Sequence, residues 1–130
     1  MQDRPSVDEL LEAVAGFLHD DVMPNTTGRL SFHARVAGNV VQMLRRELSL
    51  EEDHVAREWA GLNALIGAVE RPGSLASTRE QLVARNQALS DRIRAGGADE
   101  PVFRAALLAH LRAGMRDKLA VSNPGLLAEG

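Results

Sequence analysis

Apolar residues recur along the chain at intervals of three and four, and no segment alternates apolar and polar residues over six positions. Intervals of three and four place side chains on one face of an α-helix, whereas alternation is typical of a half-buried strand. The pattern therefore predicts an all-α fold, a five-helix antiparallel bundle with short connections. The predicted helices cover residues 6–23, 28–48, 50–69, 75–95 and 100–122.

Local sequence signals place the ends of these helices. Ser6 followed three residues later by Glu9 has the spacing of a capping box, and Ser49 with Glu52 repeats it. The second box predicts that a new helix begins after residue 48. Gly96 followed by a second glycine fits a left-handed helix stop, and a proline at 101 suits a first helical turn.

The predicted helix 28–48 carries the widest apolar arc. A heptad series is widened on one side by three further apolar residues, and an arc much wider than about 100° predicts neighbours on several sides. We therefore expect this helix to be central. The heptad series is Leu30, Ala34, Ala37, Val41, Leu44 and Leu48, and the flanking residues are Val36, Val40 and Met43.

Length and composition limit the class of protein. The 130 residues, 45% hydrophobic and 25% charged, predict one globular domain over 1–130 with loosely held termini at 1–5 and 125–130. The N-terminus is polar and no apolar run is long enough to span a bilayer, so we expect a cytoplasmic protein with no membrane partner. A net charge of −3 with interspersed basic residues argues against a nucleic-acid partner.

Few catalytic or metal-binding patterns occur. There is no cysteine, which excludes thiolate catalysis and cysteine-ligated metals. Glu51-x-x-His54 has the spacing of a di-iron ligand pair, but that centre needs a second pair and two more carboxylates. An acid favoured by the dipole of a helix's first turn is the simpler explanation. Without a nucleotide-binding loop or a complete catalytic set, the sequence predicts no cofactor, no metal and, on balance, no enzyme.

Two basic residues fall where apolar ones are expected. His33 lies within the apolar arc of helix 28–48, one turn from Arg29, and Lys118 lies on the apolar arc of the last helix. A core histidine beside an ion-paired Arg29, and a lysine whose stem reaches solvent, are the structural explanations. The alternative is a weak binding site for an anion, formed by Arg29, His33, Lys118 and Asn123. It requires antiparallel packing of the two helices.

Two segments resemble a known family. The segment GRLSFHARVAGNVVQMLRREL and the closing KLAVSNP are similar to those of a bacterial family of unknown function, and the resemblance extends from helix 6–23 to Pro124. The residues that carry it are Arg29, Phe32, His33, Arg35, Asn39, Glu47, Lys118, Asn123 and Pro124. Members are short helical proteins, often encoded near aminoglycoside-phosphotransferase-like kinases and acyl-CoA dehydrogenases. The resemblance implies an accessory role beside such an enzyme and no catalytic residues.

The sequence thus favours a non-enzymatic helical accessory or protein-interaction domain. We expect a homodimer, or a complex with a phosphotransferase-like kinase or an acyl-CoA dehydrogenase. The first alternative is a bundle that binds a small anionic ligand, such as a phosphate, a carboxylate or a coenzyme A derivative, through the four residues named above. A second is an enzyme that uses His33 as its base.

Overall fold

A computed structural model describes residues 3–129, which are mostly helical with no strand among them. The elements are α1 (Val7–Gly16), a π-helical turn (Phe17–Val22), α2 (Gly28–Ile66), α3 (Leu75–Arg94), a 3₁₀ turn (Gly97–Asp99), α4 (Pro101–Ser122) and α5 (Gly125–Ala128). The predicted all-α helical bundle is confirmed. The tail after Pro124, predicted to be loosely held, carries the short helix α5.

The predicted break at Ser49 is wrong, because residues 28–48 and 50–66 form one continuous helix, α2. The Ser49 hydroxyl donates to the carbonyl of Arg46 instead of capping a new helix. Serine can bond back to the preceding turn in this way at little cost, and no proline or glycine lies near it to interrupt the helix. α2 also ends at Ile66 rather than at residue 69, because Gly67 adopts a left-handed conformation with φ of 104°.

Other helix ends match their sequence signals. Ser6 and Glu9 form the predicted capping box at the start of α1. Gly96, with φ of 91°, follows the end of α3 as expected, whereas the Ser74 side chain caps its start without having been marked by a sequence signal. α4 begins with Pro101 after Glu100, whose carboxylate accepts from two backbone N–H groups of the first turn.

The chain divides into two compact units, unit 1 (Met1–Ser49) and unit 2 (Leu50–Gly130), and the boundary falls within α2. The one-domain organisation expected from chain length stays a prediction.

Unit 2 holds a conventional hydrophobic core. Large apolar side chains from the second half of α2, from α3 and from α4 bury one another, and Leu62 is fully buried. The core residues are Val55, Trp59, Leu62, Leu65, Leu82, Leu89, Phe103 and Leu107. Arg92 donates to the Leu65 carbonyl in the last turn of α2, and Arg85 donates to the Gly67 carbonyl just after it. Arg85 also lies over the ring of Trp59, and Arg92 over that of Phe103. Unit 2 therefore has both a packed interior and a capped helix end.

Unit 1 is a helical hairpin of α1, the π-helical turn and the first half of α2. Asp8, near the start of α1, pairs with Arg45 at 2.8 Å, whereas Met23, beyond the π-helical turn, accepts from the Ser31 hydroxyl at 2.9 Å. The helices of the hairpin therefore run antiparallel. Its buried residues are small: Ala15, Ala34 and Gly38.

Candidate functional site

The most unusual surface lies on unit 1, where many large apolar side chains remain exposed. Each of them has between 37% and 61% of its surface exposed to solvent. We call the members of this set on α2 the unit 1 apolar face: Leu30, Phe32, Val36, Val40, Met43, Leu44 and Leu48; the other members, Val7, Leu10, Val14 and Phe17, are exposed on α1 and the π-helical turn. An exposed apolar surface of this extent is typical of an interaction site.

Helical spacing explains the exposure. The side of α2 that faces α1 is set by Ala34, Gly38 and Arg45, which lie one or two turns apart. Val36, Val40 and Met43 project from the opposite side of the helix, at intervals of four and three. The wide apolar arc of α2 was thus recognised from the sequence. Within the part of the chain that the structure describes, the neighbours expected to cover it do not bury it.

A small cavity lies at one end of the hairpin. Its volume is about 240 Å³, and Val7, Leu11 and Leu48 supply its apolar lining, with the paired Asp8 and Arg45 beside them. The hydrogen bond from Arg45 lowers the pKa of Asp8, and the same bond raises the pKa of Arg45. Because its lining is mostly apolar and its charges are paired, the cavity extends the unit 1 apolar face and offers no free charge to an anion.

The structure brings Arg29 and His33 together on unit 1. Arg29 Nε donates to His33 Nε2 at 3.2 Å, and the imidazole and the Phe32 ring form a T-shaped pair with centroids 5.6 Å apart. Both side chains are exposed, so the expectation of a core histidine is wrong. The reason is that the arc of α2 that carries His33 faces away from α1.

Lys118 and Asn123 lie on unit 2, near the end of α4, and both are exposed. The apolar arc predicted for α4 buries Phe103 and Leu107 but leaves Leu111 and Met115 about half exposed. Lys118 lies on this exposed side, as a lysine with a solvent-reaching stem should. Convergence of the four predicted ligand-binding residues stays a prediction, because Arg29 and His33 belong to one unit and Lys118 and Asn123 to the other.

Two histidines to which the sequence analysis gave no functional role lie against glycines of α2. In unit 1, the His19 ring, on the π-helical turn, occupies the position where a Cβ of Gly38 would be. In unit 2, the His110 ring of α4 does the same at Gly61. An isolated glycine inside a helix often marks a close approach of another group. In the sequence, Gly38 and Gly61 were therefore the signal from which these two contacts could have been predicted.

A polar cluster on unit 2 joins α2 to α4. Arg57 donates to both carboxylate oxygens of Asp117, at 2.7 and 3.3 Å, and His54 Nε2 lies 3.6 Å from the same carboxylate. The hydrogen bond to Asp117 raises the pKa of Arg57. Asp117 is satisfied by this ion pair, so the arrangement is typical of a structural link between helices.

The di-iron spacing Glu51-x-x-His54 does not form a metal site. The Glu51 carboxylate pairs with Arg79 of α3, and no group of three potential ligands converges anywhere in residues 3–129. The explanation from a first-turn dipole is also wrong, because Glu51 lies in the interior of α2.

No helix within residues 3–129 combines the length and apolar character that crossing a bilayer demands. Comparison of the chain with curated proteins and with solved structures finds no match. A family model described as a domain of unknown function, DUF6285, matches residues 24–126. The match includes α2, α3 and α4 but not α1, to which the sequence resemblance had extended. Since it covers more than half of the sequence, the chain belongs to the DUF6285 family.

Proposed function

We propose that this chain is a non-enzymatic accessory domain that binds another protein through the unit 1 apolar face. The observation that carries the proposal is the contrast in burial between large and small residues of the hairpin. Among the described residues of unit 1, only alanine and glycine are buried, while eleven large apolar side chains stay about half exposed. Two helices joined by such a small interior need an additional apolar surface to cover them.

The extent of the face suits a protein partner. Its seven side chains, each exposing roughly half of its surface, present on the order of 600–700 Å², which is near the lower end of what one partner contributes to a specific interface. Partner classes follow from the family resemblance: a phosphotransferase-like kinase, an acyl-CoA dehydrogenase, or a second copy of the chain. A bacterial, cytoplasmic setting belongs to the same proposal.

A matched pair of substitutions tests the proposal. Val40→Glu places a charge on the unit 1 apolar face, and Val83→Glu places one on α3 of unit 2, at a valine that is 74% exposed. Both valines are exposed in a helix, so neither change should disturb folding. We expect Val40→Glu to abolish association and Val83→Glu to leave it unchanged. Association is measured by co-purification with the neighbouring kinase or dehydrogenase and by light scattering of the chain alone.

Two results would contradict the proposal. One is equal association for wild type and Val40→Glu in both assays. The other is a chain that binds neither a second copy nor either of the two enzymes.

A second candidate function is anion binding at Arg29 and His33, with Lys118 and Asn123 as further ligands. The observation in its favour is the contact between the exposed Arg29 and His33. Thermal shift with inorganic phosphate and with coenzyme A tests it, with Arg29→Ala as the comparison variant. A stabilisation lost in that variant would support anion binding, whereas no shift at millimolar concentrations would eliminate it.

A further inference from the structure

The exposed side of α2 is arranged symmetrically about Val40. Val36 and Leu44 lie four residues before and after it, and Ala37 and Met43 lie three residues before and after it. All of these residues are exposed. The apolar stripe would therefore match itself if a second α2 lay across it in the opposite direction, because a two-fold axis at Val40 pairs each residue with its symmetric counterpart.

Charged and titratable groups follow the same symmetry. His33 lies seven residues before Val40 and Glu47 lies seven residues after it, so both are on the side of α2 that carries the stripe. Both are exposed, and Glu47 has no ion-pair partner among residues 3–129. In an antiparallel pair, each Glu47 would face the imidazole of His33 on the other copy. A parallel pair would instead place Glu47 against Glu47, which is unfavourable.

We propose that the occupant of the unit 1 apolar face is a second copy of this chain, with the two α2 helices antiparallel about a two-fold axis at Val40. This inference rests on the proposed function, because it names the partner of the same face. The other groups near the contact are compatible with it. Arg29 bonds to His33 and Arg35 lies over Phe32, so neither needs to be buried without a partner.

The absence of cysteine from the sequence makes the register directly testable. In Val40→Cys the two thiols face each other at the axis, and a disulfide forms when Cα atoms are about 4.4–6.8 Å apart. Leu30→Cys and Leu48→Cys are matched controls on the same face. They lie ten and eight residues from the axis, so their thiols would be roughly 30 and 24 Å apart at 1.5 Å per residue.

We expect light scattering to show a dimer, and oxidation to cross-link Val40→Cys but neither control. Cross-linking of all three variants would show a parallel pair and overturn the proposal. A dimer in which Val40→Cys does not cross-link would also overturn it. Mixing Val36→Cys with Leu44→Cys chains provides a second measurement if Val40→Cys fails to fold, because these positions meet only between antiparallel copies.

Charge exchange tests the contact between His33 and Glu47. His33→Glu faces Glu47 with a like charge and should weaken dimerisation by about tenfold, and adding Glu47→Arg should restore it. No rescue by the second change would overturn the register. A chain that stays monomeric up to millimolar concentration would overturn this inference alone, since face-dependent capture of the kinase or the dehydrogenase would still support the proposed function.

Discussion

The two units differ in the size of the side chains that they bury. Unit 2 buries large side chains such as Trp59 and Leu62 between three helical segments, although others such as Val83 stay exposed. Unit 1 brings α1 and α2 together over Ala15, Ala34 and Gly38, and its large apolar side chains are half-buried or exposed. Small residues let two helices approach closely, but they remove little apolar surface from water. The difference indicates that unit 2 is stabilised by its own core, and it is the basis for the association proposed for unit 1.

The strongest test of this difference is one substitution made in each unit. Leu62→Ala removes a fully buried side chain and should lower the free energy of unfolding by about 2–5 kcal/mol. Leu44→Ala removes a side chain that is 49% exposed and should cost less than about 1 kcal/mol in the monomer. Urea unfolding at low protein concentration, followed by circular dichroism, measures both. Equal losses of unfolding free energy in the two variants would contradict the difference in burial between the two units.

The contact between His110 and Gly61 should produce the next largest effect. In Gly61→Ala the new methyl group overlaps the imidazole, and we expect a loss of about 1–3 kcal/mol despite the better helix propensity of alanine. Removing the ring as well, in Gly61→Ala with His110→Ala, should recover part of that loss.

Gly114→Ala is the matched control, since it lies inside α4 with no atom near the added methyl group. It should stabilise the protein by up to about 1 kcal/mol. A stabilising Gly61→Ala would show that the imidazole moves aside without cost.

The smallest expected effect is on the pH dependence of stability, which should differ between the two units. Arg45 lowers the pKa of Asp8 in unit 1, and the backbone N–H groups of Phe103 and Val102 lower the pKa of Glu100 in unit 2. A folded-state pKa below the unfolded value contributes stability that is present above about pH 4 and is lost as the pH falls further. Asp8→Asn and Glu100→Gln should each remove one such contribution.

Trp59 is the only tryptophan and reports on unit 2, whereas circular dichroism reports on both units. We expect Asp8→Asn to change the acid dependence of the circular dichroism signal and to leave that of the fluorescence unchanged. Equal changes in both signals would show that the units unfold together, as the one-domain prediction requires.

Local signals in the sequence were sufficient for most of the fold. Capping at Ser6, the left-handed Gly96 and the proline that opens α4 each act within one helical turn, so a single sequence reveals them. Ser49 was misread because the same spacing occurs inside a helix, where the hydroxyl bonds to the preceding turn. Only the neighbouring residues, none of which breaks a helix, distinguish the two cases.

The candidate site was harder to predict, because periodicity shows which side of a helix is apolar but not whether another element covers it. The arc of α2 was therefore expected to lie at the centre, and His33 within a core. The structure instead places α1 against the side marked by Ala34 and Gly38. The fit of His19 and His110 onto glycines depends on contacts between distant residues, which spacing along the chain does not encode.

The fit of His110 onto Gly61 has a consequence for how members of the family diverge. Both positions lie within the matched region 24–126, and each restricts the size of the residue at the other. We expect relatives with alanine or serine at the position of Gly61 to carry a smaller side chain at the position of His110, so that the two sites co-vary across an alignment. Independent substitution at the two positions would indicate that the helices separate there in other members.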